Sequence, residues 1–151
     1  MGWPGASPLH RACFDGDLTE LQKLVKSGGN INSLDRSFSS LLAPLHIAAF
    51  QGHLDIAAFL ISQRAEVDIK SSYQTTLDTQ VNYDLTPLVF AVQKNDLPMA
   101  RLLLEVGASP FTEYYNSYSD GSSLIPHTVF STAKSQPMKE LLERYRRTPD
   151  I

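Results

Sequence analysis

Cysteine is nearly absent. Cys13 stands alone among 151 residues, so neither an intramolecular disulfide framework nor a thiolate zinc site can be assembled. A reducing compartment is the expected setting, cytoplasmic with the nucleus left open. Charge is also sparse, 19% of residues, and leaves a net −3 with a pI near 5.7. With no basic field to collect phosphates, nucleic acid and anionic membrane surfaces are excluded as general partners. No apolar run approaches the length that a bilayer crossing needs. The first residues, MGWPGASPLH, lack the charged and apolar regions of a secretory leader. Gly2 invites a myristoylation reading, but Ala6 replaces the serine or threonine of that motif.

Chemistry-bearing patterns are missing too. There is no glycine-rich phosphate loop, paired-carboxylate arrangement or nucleophile elbow. His10 and Cys13 lie one helical turn apart, yet Cys13 falls at a position of small, packed residues, where a thiol is inert. Neither His53 nor His127 has a second histidine or a carboxylate at ligand spacing. No catalytic residue, metal or cofactor is expected.

What the chain does contain is a repeat. Pro8, Pro44, Pro87 and Pro126 open similar stretches: SPLHRACFDGDL, APLHIAAFQGHL, TPLVFAVQKNDL and, more faintly, IPHTVFSTAKSQ. A short polar or small residue followed by proline is a helix start, because proline at the first helical position gives up no hydrogen bond and its fixed φ fits. Eight residues later come Gly16, Gly52, Asn95 and Lys134. Glycine and asparagine tolerate the left-handed conformation that ends a helix, so three of four units carry a stop and the fourth departs.

A second apolar-periodic run follows each stop: Leu18, Leu21, Leu24; Leu54, Ile56, Phe59, Leu60; Leu97, Leu102, Leu103; and Met138, Leu141, Leu142. These are read as second helices, antiparallel to the first. Three of them end at Gly28-Gly29, Arg64-Ala65 and Gly107-Ala108, the same offset from each proline. Arg64 costs about 1 kcal/mol there if that position is left-handed.

Proline-leucine-histidine, paired small residues, a glycine stop, an aliphatic helix and glycine-alanine together resemble the ankyrin repeat. The match is strong over Ser7 to Asn32 and Ala43 to Asp68, good over Thr86 to Ser109, and weak over Ile125 to Arg147. The resemblance implies an all-α, ankyrin-repeat solenoid of stacked antiparallel helix pairs with extended hairpin-loop fingers. We read one domain, residues 1–151, with repeats at approximately 3–38, 39–81, 82–120 and 121–147. It also implies a structural role for His10 and His46, hydrogen-bonded to the preceding hydroxyl and to nearby backbone. Ala43 removes that hydroxyl from the second unit, and Val89 replaces the histidine of the third.

The proline spacings, 36, 43 and 39 residues by counting, exceed the roughly 33 of a regular unit. The helical patterns are intact, so the surplus falls in the fingers, Asn32 to Leu41, Ile69 to Asp84 and Ser109 to Ser123, all of loop composition. Tyr73 and Tyr83 lie in the second. The third interleaves Phe111, Tyr114, Tyr115 and Tyr118 with serine, asparagine and glycine, a paratope-like mixture in which rigid amphipathic rings sit among adaptable polar groups. Those rings either meet a partner or hold their own long loop down. Two residues before each proline stand Ala6, Leu42, Leu85 and Leu124. The leucines would form a stripe on the groove side with Phe14 and Phe50, either a partner site or a seat for the fingers.

The expected function is a non-catalytic protein-interaction module, monomeric, that binds a protein partner through its concave helix face and Tyr-rich fingers, as adaptor or steric inhibitor. The alternative is an ankyrin piece of a larger enzyme or effector. The expected partner contacts are Phe14, Leu42, Phe50, Tyr73, Tyr83, Leu85, Tyr114, Tyr115 and Tyr118.

Overall fold

The computed structural model describes residues 6–35, 40–74, 80–81, 84–115 and 126–146. Tyr83 and Tyr118 lie outside these, as do the side chains of Tyr73 and Tyr115.

Three helix pairs follow the proline frame. Helices α1 (Pro8–Asp15) and α2 (Leu18–Lys26) form the first, and strand β1 (Ser40–Leu41) leads into α3 (Pro44–Gln51) and α4 (Leu54–Ser62). Strands β2 (Ser72–Gln74) and β3 (Gln80–Val81) precede α5 (Pro87–Gln93) and α6 (Leu97–Glu105). Each first helix has proline in its opening turn, and Gly16, Gly52 and Asn95 end these helices at φ of 76°, 76° and 56°. Arg64 ends the second pair at φ 67°, where Gly28 and Gly107 stand at 93° and 99° in the neighbouring units. Its side chain therefore bears the left-handed strain that the glycines avoid.

The last unit departs from the frame. Pro126 does not open a helix: β5 (Pro126–His127) pairs antiparallel with β4 (Tyr114–Tyr115), setting Tyr115 opposite Pro126 and Tyr114 opposite His127. The short α7 (Val129–Thr132) starts after Thr128, whose backbone N–H donates to Ser131 Oγ, and α8 (Gln136–Arg146) closes the array. The sequence signal for a helix at Pro126 is overridden because extended backbone suits proline equally and a sheet edge asks for no N–H.

First helices stack on one another, α1 on α3, α3 on α5 and α5 on α7, while α4, α6 and α8 form a second row. Ala12, Cys13, Ala48, Ala49 and Ala91, all but fully buried, let the first row approach closely. Between the rows lie Leu21, Ile56, Leu60, Met99, Leu103, Met138 and Leu142, each removed from solvent. The helix pairs thus bury one continuous apolar layer that no pair could bury alone.

The second finger takes the hairpin form that the resemblance implies, and its pairing extends to the first. β1, β2 and β3 form one antiparallel sheet, with Tyr73 between Ser40 and Val81, so the second finger is a hairpin bonded edge-on to the first. Asp35 and Leu42 close the base of the first finger by exchanging backbone hydrogen bonds of 2.9 and 3.1 Å.

Candidate functional site

The histidines fix the fingers to the helices. Nε2 of His10 donates to the carbonyls of Ser33 and Leu42, at 3.0 and 2.9 Å, which lie at the two ends of the first finger. With Nε2 as donor, Nδ1 accepts from the Ser7 hydroxyl at 2.6 Å. In the second unit the missing hydroxyl is replaced by main chain. The Ala43 N–H donates to His46 Nδ1 at 3.0 Å, and Nε2 donates to the Leu85 carbonyl at 2.8 Å. Burial holds both imidazoles neutral. His10 lies below its ordinary value despite Asp35 nearby, and His46, fully enclosed, is pushed down to about 4.

In the third unit Thr86 supplies the hydroxyl, but Val89 supplies no imidazole, and among the described residues Thr86 Oγ1 is buried without a partner. The hydroxyl and histidine of the motif occur together only in the first unit; the second and third each keep one half.

Burial pushes the Cys13 thiol up to about 12, so no thiolate is available to act with His10. Among the described residues no group of three histidine, cysteine or acidic side chains could hold a metal ion, and no helix is long and apolar enough to cross a membrane.

The expected partner residues divide. Tyr114 is completely buried, its ring beside His127 at 5.8 Å and its hydroxyl bonded to Thr132 Oγ1. It anchors the third finger to α7, which corrects the expectation that it faces a partner: pairing with β5 turns its ring inward. Leu42 is likewise corrected. Its side chain belongs to the core, and its backbone is held by Asp35 and His10. Leu85 is half-buried against the core, with its carbonyl accepting from His46 and from the Ser71 N–H, so it is part of the finger base more than of an open stripe. Phe14 is partly buried, and its carbonyl accepts from His53 Nε2 at 3.1 Å. Tyr115 contributes backbone to β4 and Tyr73 to β2.

Phe50 remains, 42% exposed at the end of α3. The structure adds two residues that the sequence did not single out. Phe90 on α5 meets the Phe50 ring edge-on at 5.9 Å and the His46 ring at 5.7 Å. The Lys94 ammonium stands 4.2 Å from the Phe50 ring centroid. Two aromatic rings and a cation are thus presented along the first-helix row, with the buried His46 behind them. Phe50 lies six residues after its proline and Phe90 three, so comparison of like positions between repeats separates residues that adjacent helices bring together. An apolar, aromatic surface with a charged rim is the composition that dominates binding energy at protein interfaces.

Residues 9–114 match the family model of ankyrin repeats, built from three copies. The human palmitoyltransferase ZDHHC13 is 36% identical over 97 residues, covering 63% of this chain and 13% of that protein. The human Notch-regulated ankyrin repeat-containing protein is 42% identical over 63 residues, 42% of this chain and 53% of that protein. The potassium channel SKOR of Arabidopsis thaliana is 41% identical over 58 residues, 38% of this chain and 7% of the channel. The matched region therefore spans about half of the second relative and a small part of the other two.

Proposed function

The chain belongs to the ankyrin-repeat family, and from that premise we propose that it captures a protein partner on its first-helix face, centred on Phe50, Phe90 and Lys94, with the fingers as the flanking wall. Ankyrin repeats are protein-interaction modules; the particular face, the contribution of the fingers and the action as adaptor or steric inhibitor are our reading. The observation that carries it is the exposure of Phe50, a large ring left 42% open beside a second ring and a cation on an otherwise close-packed row. Aromatic anchors beside a cation concentrate affinity in a few residues.

Affinity capture with the intact chain, run beside a Phe50→Asp variant, tests this. Loss of the captured protein with an unchanged melting temperature is the expected result. Retention of the same protein by the variant would move the site elsewhere. A second reading is favoured by the relatives, two of which are much longer than the matched segment: the repeats would serve as the docking part of a larger protein whose activity resides in other domains.

A further inference from the structure

We propose, against the monomer expected from the sequence, that the chain self-associates as a two-fold dimer through the outer faces of α4 and α6, the row opposite the first helices.

Helix α4 reads LDIAAFLIS, with Asp55 its only charged residue, whereas α2 carries Glu20, Lys23 and Lys26 within a helix of the same length. A solvent-facing helix ordinarily carries charge on its outer side. Here Leu54 is 41% exposed and Ala58 is exposed beside it. With Leu97, Pro98 and Leu102 of α6 they line a groove of about 430 Å³, bordered by Arg101 and Glu105. No buried polar side chain points into this groove from its lining, which argues against a small-molecule site, where a few convergent polar groups fix orientation.

The charges indicate the occupant. Arg101 and Glu105 are both exposed, and among the described residues neither has an ion pair or a side-chain hydrogen bond. Four residues apart on one helix, they share a face. A partner of uniform charge would satisfy one and repel the other. A second copy, its α6 antiparallel to the first about a two-fold axis midway between Arg101 and Glu105, sets each Arg101 opposite Glu105 of the other copy, while exposed Leu54 and half-buried Leu97 and Leu102 meet their counterparts. Such an isologous patch is complementary to itself. A surface confined to the outer faces of two nine-residue helices falls among weak, reversible interfaces. The dimer leaves Phe50 open on each copy, so two capture faces are presented together and a repeated partner gains avidity.

Sedimentation velocity on the intact chain, from micromolar to millimolar concentration, should show a reversible monomer–dimer equilibrium. Arg101→Glu and Glu105→Arg should each weaken it by about tenfold or more, since each places like charges in contact. Mixing the two single variants should restore association as a heterodimer, and the double variant R101E/E105R should dimerise like the parent. Leu54→Asp should dissociate the dimer independently of these charges, and circular dichroism of each variant checks that it is folded. A monomer throughout the range overturns the proposal. So does a dimer indifferent to all three single changes, or one that neither mixing nor charge exchange restores.

Discussion

Nε2 of His46 lies 2.8 Å from the carbonyl oxygen of Leu85, a residue 39 positions further along the chain. The imidazole spans the second finger from helix to finger base, with Nδ1 committed to the Ala43 N–H. A proton on Nδ1 would therefore confront a donor. Burial lowers this pKa from 6.5 to about 4, so the unfolded chain binds the proton more readily than the folded one. The stabilisation is complete above pH 6.5, falls as pH drops, and is lost by about pH 4. The linkage amounts to roughly 3 kcal/mol for His46, and His10 adds in the same direction because its pKa is lowered too. Urea titrations at pH 7.5 and pH 4.5 should show the lower midpoint at acid pH, with a smaller difference in His46→Gln.

Thr86 and Val89 give the opposite case, a hydroxyl without its imidazole. Thr86→Val is close in shape and removes a buried, unpartnered oxygen, so it should raise stability by about 1 kcal/mol. A rise in thermal midpoint checks this; a fall would mean that the hydroxyl has a partner in solution, such as a buried water.

Arg64 adopts φ 67° in an exposed turn. Arg64→Gly should relieve left-handed strain of about 1 kcal/mol, less a few tenths for the greater freedom of unfolded glycine. The gain is read from chemical denaturation, and binding at Phe50 should be unaffected.

Tyr114 and Phe50 should separate folding from capture. Tyr114→Phe deletes the hydroxyl bonded to Thr132 and should cost about 1 kcal/mol, whereas Tyr114→Ala opens a cavity costing roughly 3 to 5 kcal/mol. Phe50→Ala should cost under about 1 kcal/mol, since the ring is 42% exposed, while abolishing partner capture. Paired melting and capture measurements distinguish the two positions.

The solenoid was legible because its signals are local and recur. Proline in the first turn, a left-handed residue eight positions later and an aliphatic run after it specify a helix pair without reference to the rest of the chain. The fourth unit departs at Pro126, whose local fitness for a helix start gives way to strand pairing with Tyr115 across the third finger. The inward orientation of Tyr114 and Leu42 escapes the sequence for a related reason. Composition marks a ring or an aliphatic chain as suited to binding, but only the register of β4 on β5, or the bridge between Asp35 and Leu42, decides which way it points. Phe50 is legible as the counterpart of Phe14, six residues after its proline, whereas its company with Phe90 and Lys94 depends on how adjacent helices are offset.

One series of contacts crosses every junction between units. The His53 ring lies over Gly16, so close that a Cβ there would sit 2.9 Å from Cε1, while Asp96 Oδ2 would meet a Cβ on Gly52 at 3.3 Å. Ser135 Oγ reaches Asn95 Oδ1 at 2.6 Å. Each of these side chains stands at the start of a second helix and gauges the distance to the preceding turn. The pitch of the array is thereby set at the turns, whatever length of chain runs between them. The unequal proline intervals of 36, 43 and 39 residues are thus absorbed without dislocating the stack. Finger length becomes a free variable for selection, able to lengthen or shorten while the helical lattice keeps its spacing.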